Sequence, residues 1–231
     1  QASILETVLS SAKGDNFSPR AWITVIGYGE KIQSPVNIIR EGWVADWASD
    51  VMAADEAGEL LIPAVAGTVT PMSAAFKQAK ACLDAWIQRR EKDHLEDPRE
   101  SLAAPIVINI SDGLPTDMSG YETDDAKDEA IKAANDIMNT VTRDGNVLLF
   151  NIHVSQGGGT LMFPADKSVL NGDKEGEFLF DISSHLTEGQ ISYGKQRGYE
   201  MIQSGSKGFA VNVKSDELIR LIAFISQPPV N

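Results

Sequence analysis

A chain of 231 residues with 20 lysines and arginines against 33 aspartates and glutamates has a formal net charge of −13. This charge opposes binding to nucleic acid or to anionic lipid and favours cations or basic partners. The single cysteine, Cys82, excludes an internal disulfide and a thiolate zinc cluster, and no apolar run approaches the ~18 residues of a membrane span. We therefore expect one soluble, cytoplasmic domain over residues 1–231.

Apolar periodicity divides the first half of the chain into predicted helices and strands. In chain order these are an amphipathic helix over 1–14, a hairpin of two strands over 21–29 and 34–42 that begins the sheet, an irregular connection with one short helix over 43–67, a helix over 70–91, and a charged loop over 91–100. Thr70 is the predicted N-cap of the long helix and Pro71 its first residue. Because the chain begins inside a predicted helix, we expect the first strand to be missing, as in a domain truncated at its N-terminus.

The second half of the chain alternates strands and helices. The predicted elements are a strand over 104–111, a helix over 123–143 with Arg143 in its last turn, strands over 146–155 and 177–183, a helix over 188–203, a strand over 208–213, and a helix over 215–226 capped by Ser215. Apolar strands without period-two alternation, separated by helices, predict a mostly parallel sheet with helices on both faces. The expected fold class is therefore a doubly wound α/β fold.

Two oxygen-bearing side chains follow apolar stretches of the predicted sheet. Asp112 interrupts "VINISDGLPTD" (107–117), and Thr70 follows "LLIPAVAG" and opens a helix. Ligands of open α/β sheets bind beyond the carboxyl ends of the strands, and hydroxyl and carboxylate oxygens suit Mg²⁺ or Mn²⁺. We predict Thr70 and Asp112 as metal ligands, with further oxygens from another strand end, from water or from a partner.

The arrangement resembles a von Willebrand factor A domain with its metal-ion-dependent adhesion site. "GTVTPMSAAF" is similar to the threonine loop of that family, and "INISDGLPTD" is similar to its aspartate turn. "WITVIGYG", "VLLFNIHVS", "FLFDISSHLTEG" and "SKGFAVNV" resemble the bacterial, tellurium-resistance-associated members, so the resemblance covers nearly the whole chain. The family's D-x-S-x-S motif does not occur; the nearest string, "DISSH", has His185 in place of the second serine.

The resemblance implies a Rossmann-like fold in which Thr70 and Asp112 bind Mg²⁺, Mn²⁺ or Ca²⁺. It also implies a regulatory protein partner, such as a kinase or phosphatase from the same gene cluster. The expected function is a non-catalytic protein-binding module whose cation captures an acidic side chain of that partner. Specificity would come from the loops 30–35, 67–73, 112–121 and 155–164.

Two alternative functions, and a structural role for each candidate residue, stay open. A Mg²⁺-dependent phosphate-ester hydrolase would need a second acidic group, for which Asp181 is the visible candidate, and a metal-free scaffold of the same fold is a third possibility. No dinucleotide fingerprint, P-loop or Ser/His/Asp set points to an enzyme. The structural alternatives are an N-cap for Thr70, a tight turn with positive φ at Gly113 for Asp112, a following turn for Thr116 and Asp117, and a hydrogen-bonded core histidine for His153.

Overall fold

The computed structural model describes residues 12–13, 16–17, 22–29, 34–57, 67–96, 104–143, 145–214, 217–218, 220–221 and 224. The strands are β1 (Ala12–Lys13), β2 (Asn16–Phe17), β3 (Trp22–Tyr28), β4 (Val36–Trp43), β5 (Ile106–Ser111), β6 (Val141–Thr142), β7 (Gly145–Asn146), β8 (Leu148–His153), β9 (Leu161–Met162) and β10 (Phe209–Val211). The helices are α1 (Val44–Ala57), α2 (Met72–Glu96), α3 (Asp124–Met138), α4 (Lys174–Asp181) and α5 (Glu188–Gln196), with a 3₁₀-helix at Lys167–Leu170. The residues described between 217 and 224 are also helical. None of the helices in these ranges has the length and apolar character to cross a bilayer.

Four strands form the main sheet, in the order β5, β8, β10, β9. The central strand β8 pairs in parallel with β5 and β10, and β9 is antiparallel to β10 at one edge. Helices α2, α3 and α4 pack on one face of this sheet, and α5 packs on the other with the helical residues near the C-terminus. The predicted α/β architecture, with a mostly parallel sheet between helices, is confirmed.

Strand β8 shows why the apolar strands lack a period-two pattern. Leu149 belongs to the hydrophobic cluster under α2, α3 and α4, whereas Phe150 and Ile152 belong to the cluster under α5. All three side chains are at most 4% exposed. Since both faces of a central parallel strand are covered, both must be apolar.

The predicted hairpin is confirmed, but it does not begin the main sheet. Strands β3 and β4 pair antiparallel from Trp22 opposite Trp43 to Tyr28 opposite Val36. Among the described residues they form a two-stranded sheet of their own. The local sequence specified the hairpin because its two strands are neighbours in the chain, whereas its attachment to distant strands depends on tertiary contacts.

Several predicted helix boundaries were wrong. The connection after the hairpin begins with a 14-residue helix, α1, which is longer than the short helix predicted there, and residues 58–66 of it lie outside the described ranges. Helix α2 continues through the first six residues of the predicted charged loop, because the Glu, Lys and Leu residues in that stretch are good helix formers. Helix α3 ends at Met138 instead of 143, where a short β6–β7 hairpin rich in β-branched residues begins. Helix α5 ends at Gln196, and Gly198 follows with a φ of 82°. Ala12 and Lys13, placed in the predicted first helix, form β1; residues 1–11 and 14 of that helix and Ser215 lie outside the described ranges.

The predicted strand over 177–183 was also wrong, because these residues belong mainly to helix α4. Gly176, Leu179 and Phe180 are buried at helical spacing, and Asp173 caps the helix by accepting a hydrogen bond from Gly176 N at 3.0 Å. A short apolar run such as "EFLFDIS" has no period that separates a strand from a buried helix. The Asp173 cap, which marks the start of the helix, lies before residues 177–183, so the apolar run alone does not reveal it.

Asp173 also contacts the buried His153, since its Oδ2 lies 3.1 Å from Nε2 of the imidazole. We expect Asp173→Ala to lower the free energy of unfolding by about 1–2 kcal/mol, because the helix loses its cap and the imidazole its partner. Asp173→Asn keeps an oxygen for the cap and a donor for the ring, so it should cost less. Urea unfolding of both variants checks the order; equal losses would contradict it.

Candidate functional site

Two hydrogen bonds hold the loop of Thr70 against the loop that begins at Asp112. Thr70 N donates to Oγ1 of Thr116 at 2.8 Å, and Thr116 N donates to the carbonyl of Thr70 at 3.0 Å. The same carbonyl accepts from Met72 N at 2.7 Å, at the start of α2. The two loops that carry the predicted metal ligands therefore lie side by side at the carboxyl edge of β5.

The Thr70 loop is fixed on its other side by the end of β3. Thr68 N donates to the carbonyl of Gly29 at 3.1 Å, and Gly29 N donates to the carbonyl of Pro35 at 3.0 Å. A Cβ added to Gly67 would lie 2.0 Å from the Gly29 carbonyl oxygen, so only glycine fits at this approach. The loop is thus clamped between the hairpin and the main sheet.

The turn at Asp112 is built by its neighbour Ser111. The buried Ser111 hydroxyl donates to the Gly113 carbonyl at 3.2 Å and accepts from Gly113 N at 3.4 Å. Gly113 does not have a positive φ, so the predicted glycine-dependent turn was wrong. The exposed Asp112 carboxylate forms no hydrogen bond to the described residues, and it remains available for a ligand.

The Thr70 hydroxyl is similarly uncommitted. Helix α2 begins at Met72, one residue later than predicted, and Thr70 contributes its backbone carbonyl to that start. Its side-chain oxygen makes no hydrogen bond to the part of the chain that the structure describes. The predicted N-cap role of this hydroxyl is therefore wrong, because it is the Thr70 backbone carbonyl that accepts a hydrogen bond at the start of α2.

A chain of buried hydrogen bonds runs inward from this edge. The Tyr28 hydroxyl donates to Oδ1 of Asn109 at 2.7 Å, Asn109 Nδ2 donates to Oδ1 of Asn151 at 2.9 Å, and Asn151 Nδ2 donates to the Ser183 hydroxyl at 3.0 Å. That hydroxyl donates to the carbonyl of Leu179 at 2.7 Å. Each side-chain donor used here has an acceptor, so the chain links β3, β5, β8 and α4 without an orphaned group.

The environment of Tyr28 disfavours its ionisation. Burial raises the pKa of the phenol from 10.0 to about 12, and the nearby negative charge of Asp112 acts in the same direction, against the opposing effect of the Ser111 hydroxyl. Tyr28 therefore stays protonated and keeps donating to Asn109 over the whole physiological range. The Tyr28 hydroxyl also lies 3.5 Å from the carbonyl of Ile110, so the end of β3 lies close to the candidate site.

Large apolar side chains stand exposed around Asp112. Ile110 precedes the turn and Val154 follows β8, with Val154 N donating to the Ser111 carbonyl at 2.9 Å. Both are 49% exposed, while Met118 and Tyr121 in the loop after Asp112 are 54% and 70% exposed. These four side chains give the surface near Asp112 an apolar component beside its carboxylate.

The remaining candidates of the sequence lie elsewhere. Asp181 ends α4 and pairs with Lys167 at 2.8 Å, and its carbonyl accepts from Lys207, which precedes β10. It is therefore at the amino edge of the sheet, opposite Asp112. His153 is a buried core residue bonded to Asp173, and Asp117 closes the predicted turn by accepting from Ser119 N and Tyr121 N.

The residues at the candidate site offer hard oxygen ligands but not a complete metal shell. Thr70 and Asp112 supply a hydroxyl and a carboxylate, of the kind that Mg²⁺ and Mn²⁺ prefer. Within the described ranges, no three His, Cys, Asp or Glu side chains converge on one point. A cation there would take its remaining ligands from water or from a partner.

The sequence identified two loops of this site but not the contacts that assemble it. Tyr28 was read only as part of an apolar strand, and Thr116 was considered either to bracket the site or, in the favoured interpretation, to belong to the following turn. Their position supplied a signal, because each is a polar group that follows an apolar stretch near the predicted carboxyl edge. Which of them would bond to the other loops could not be read from position alone.

Comparisons with protein-family models, with curated proteins and with solved structures found no significant match.

A substitution at Gly67 tests whether the close contact between Gly67 and Gly29 holds the Thr70 loop in place. We expect Gly67→Ala to lower the free energy of unfolding by about 1–3 kcal/mol, because the new methyl group must displace the Gly29 carbonyl. Gly113→Ala is the matched control, since nothing lies within 4 Å of the added Cβ, and it should change stability by less than about 0.5 kcal/mol. Denaturant unfolding compares the two; a neutral Gly67→Ala would contradict the clamp.

The raised pKa of the Tyr28 phenol predicts that the folded protein loses stability in alkaline solution. Its pKa is about 12 in the fold against 10.0 ordinarily, so its contribution is complete below pH 10 and is lost as the pH rises toward 12. The loss should reach up to about 3 kcal/mol. Unfolding measured from pH 9 to 11 should show an earlier, extra decline in wild type that Tyr28→Phe lacks. Parallel curves for the two proteins would contradict the burial of the phenol.

Proposed function

We propose that this protein is a non-catalytic binding module of the von Willebrand factor A type, which presents a divalent cation at the carboxyl edge of its sheet. The observation that carries the proposal is the pair of hydrogen bonds between Thr70 and Thr116. This pair supports it because two distant loops with uncommitted oxygen ligands meet at one edge. The cation would be Mg²⁺, Mn²⁺ or Ca²⁺.

The residues of this chain have separable roles in the proposed module. Asp112 and Thr70 hold the cation, and an acidic side chain of a partner protein completes its shell. The exposed Ile110, Met118 and Tyr121 add apolar contact area around that charged centre. A regulatory partner such as a kinase or phosphatase is the expectation that follows from the family resemblance.

The loop 155–164 is proposed as a second part of the recognition surface. Asn212 holds it: Oδ1 accepts from Ser155 N at 2.8 Å, and Nδ2 donates to the Gly157 carbonyl at 2.8 Å. Thr160 also donates to the Asn212 carbonyl at 3.1 Å. A loop anchored in this way can present side chains at low entropic cost.

The hydrolase alternative finds less support from the described residues. It needs a second acidic group near Asp112, and Asp181 lies at the opposite edge of the sheet, paired with Lys167. A metal-free scaffold of the same fold is the second alternative, and it is the simpler one because it needs no bound cation.

Calorimetric titration with MnCl₂ and MgCl₂ tests the cation site. We expect one ion per chain, with binding at least about tenfold weaker in Asp112→Asn and in Thr70→Val, which is about 1.4 kcal/mol. Asp125→Asn is the control, because Asp125 is an exposed acid in the first turn of α3 and should not matter. Equal affinity in all four proteins, or no binding, would refute the site.

Capture of a carboxylate is tested with immobilised peptides. A neutral peptide with one Glu should retain the wild-type chain in Mn²⁺ and release it in chelator, while the matched Gln peptide should not retain it. Retention that survives the chelator would favour the metal-free scaffold. Turnover of a generic phosphate ester that Asp112→Asn abolishes would favour the hydrolase.

A further inference from the structure

Asn171 lies in an exposed turn that joins the 3₁₀-helix to α4, and in this sequence it is the one asparagine that a glycine follows. Both Asn171 and Gly172 are exposed to solvent. Nothing lies within 4 Å of the position that a Cβ on Gly172 would take. Because glycine adds no bulk, a side-chain amide can approach the backbone nitrogen that follows it.

The turn leaves that backbone nitrogen uncommitted. Asn171 and Gly172 have φ values of 53° and 84°, in the left-handed region that asparagine tolerates better than most residues. On either side of Gly172 the amides are bonded, since Asn171 N donates to the Ser168 carbonyl at 3.3 Å and Asp173 N to the Leu170 carbonyl at 3.1 Å. Gly172 N donates to none of the residues that the structure describes.

Asn146 provides a comparison within the same chain. It is exposed like Asn171, and in both residues Nδ2 donates to a main-chain carbonyl at 3.2 Å. The residue after Asn146 is Val147, which is only 1% exposed and whose N donates to the carbonyl of Thr140 at 2.9 Å. The two asparagines therefore differ in the backbone nitrogen that follows them, which is free and open in one case, bonded and shielded in the other.

We propose that Asn171 is a site of spontaneous deamidation, through a succinimide that it forms with Gly172. A base from solvent takes the proton of the Gly172 amide, and this nitrogen forms a bond to Cγ of Asn171. The Cγ–Nδ2 bond breaks, and Nδ2 takes a proton from solvent and leaves as ammonia. One water then opens the ring, at Cγ to give aspartate or at the main-chain carbonyl carbon to give isoaspartate. Because the attack is intramolecular, it needs no enzyme.

The isoaspartate product releases the start of α4. Its main chain runs through the former side chain, so the backbone between Leu170 and Asp173 becomes one methylene longer. Asp173 is held to Leu170 by its backbone N, caps Gly176 N through Oδ1 at 3.0 Å, and contacts Nε2 of His153 through Oδ2 at 3.1 Å. A displaced Asp173 cannot keep all three contacts.

The aspartate product has a different effect. It keeps the original length of the backbone, and aspartate also tolerates the left-handed conformation. The turn and the Asp173 cap should therefore persist, with one added negative charge on the surface. The two products are thus separable by their effect on α4.

The test follows deamidation of the intact chain in mildly alkaline buffer by peptide mapping and mass spectrometry. We expect Asn171 to react at least about tenfold faster than Asn146, and faster at higher pH, because the attacking nitrogen must lose its proton. Asn171→Gln should stay unmodified at this position, since its longer side chain would have to close a larger ring. A carboxyl methyltransferase specific for isoaspartate, with labelled S-adenosylmethionine, identifies that product.

A peptide of residues 167–176 gives the reaction rate without the fold. The native chain should react within about tenfold of the peptide, because the turn leaves the nitrogen accessible. A native rate more than about a hundredfold below that of the peptide would show that the fold protects Asn171, and it would overturn the proposal. Equal rates at Asn171 and Asn146 would overturn it as well.

Hydrogen exchange tests the effect on α4. Glu177 N donates to the Asp173 carbonyl at 2.8 Å, so its amide and that of Gly176 report on the start of the helix. In the isoaspartate fraction, separated by ion exchange, both amides should exchange at least about tenfold faster than in unmodified protein. Asn171→Asp is the matched control and should exchange like wild type, as should α3 in every sample. Equal exchange in the isoaspartate fraction would refute the release of α4, and neither measurement depends on the proposed cation site.

Discussion

The reciprocal hydrogen bonds between Thr70 and Thr116 are the constraint on which the arrangement of this molecule depends. They fix the start of α2 to the loop after β5, although the two segments are 46 residues apart. Once its start is held there, α2 packs against α3 and the main sheet and also contacts β3. The same two bonds hold the loops of the two candidate ligands together at one edge of the sheet.

A second constraint is the buried polar chain from Tyr28 to Ser183. Buried amides and hydroxyls are costly when unpaired, and a satisfied chain therefore favours the one arrangement in which every member finds its partner. Asn109 is central, because it accepts from Tyr28 on the hairpin and donates to Asn151 on β8. These contacts give the hairpin a defined position beside β5 without strand pairing.

The candidate site lies close to a cleft of about 250 Å³ that is lined by β3, β5 and α2. The candidate site presents oxygen ligands and exposed apolar side chains, whereas the residues that line the cleft are uncharged. Tyr28 belongs to both, because it lines the cleft and its hydroxyl lies 3.5 Å from the carbonyl of Ile110, two residues before Asp112.

The sequence by itself determined the elements whose burial or pairing can be read from the pattern of their own residues. Strands β5 and β8 are apolar on both faces, the two hairpin strands are neighbours along the chain, and Thr70 and Asp112 stand out as polar groups after apolar stretches. It did not determine that residues 177–183 are helical, because their short apolar run fits both structures and the Asp173 cap lies before it. Only the tertiary structure decided that Thr116 holds Thr70, that Ser111 bonds to the backbone of Gly113 beside Asp112, and that the hairpin forms a separate two-stranded sheet among the described residues. The physical reason is that a local pattern records which faces are buried, whereas the choice of partner depends on groups that meet only when the chain is folded.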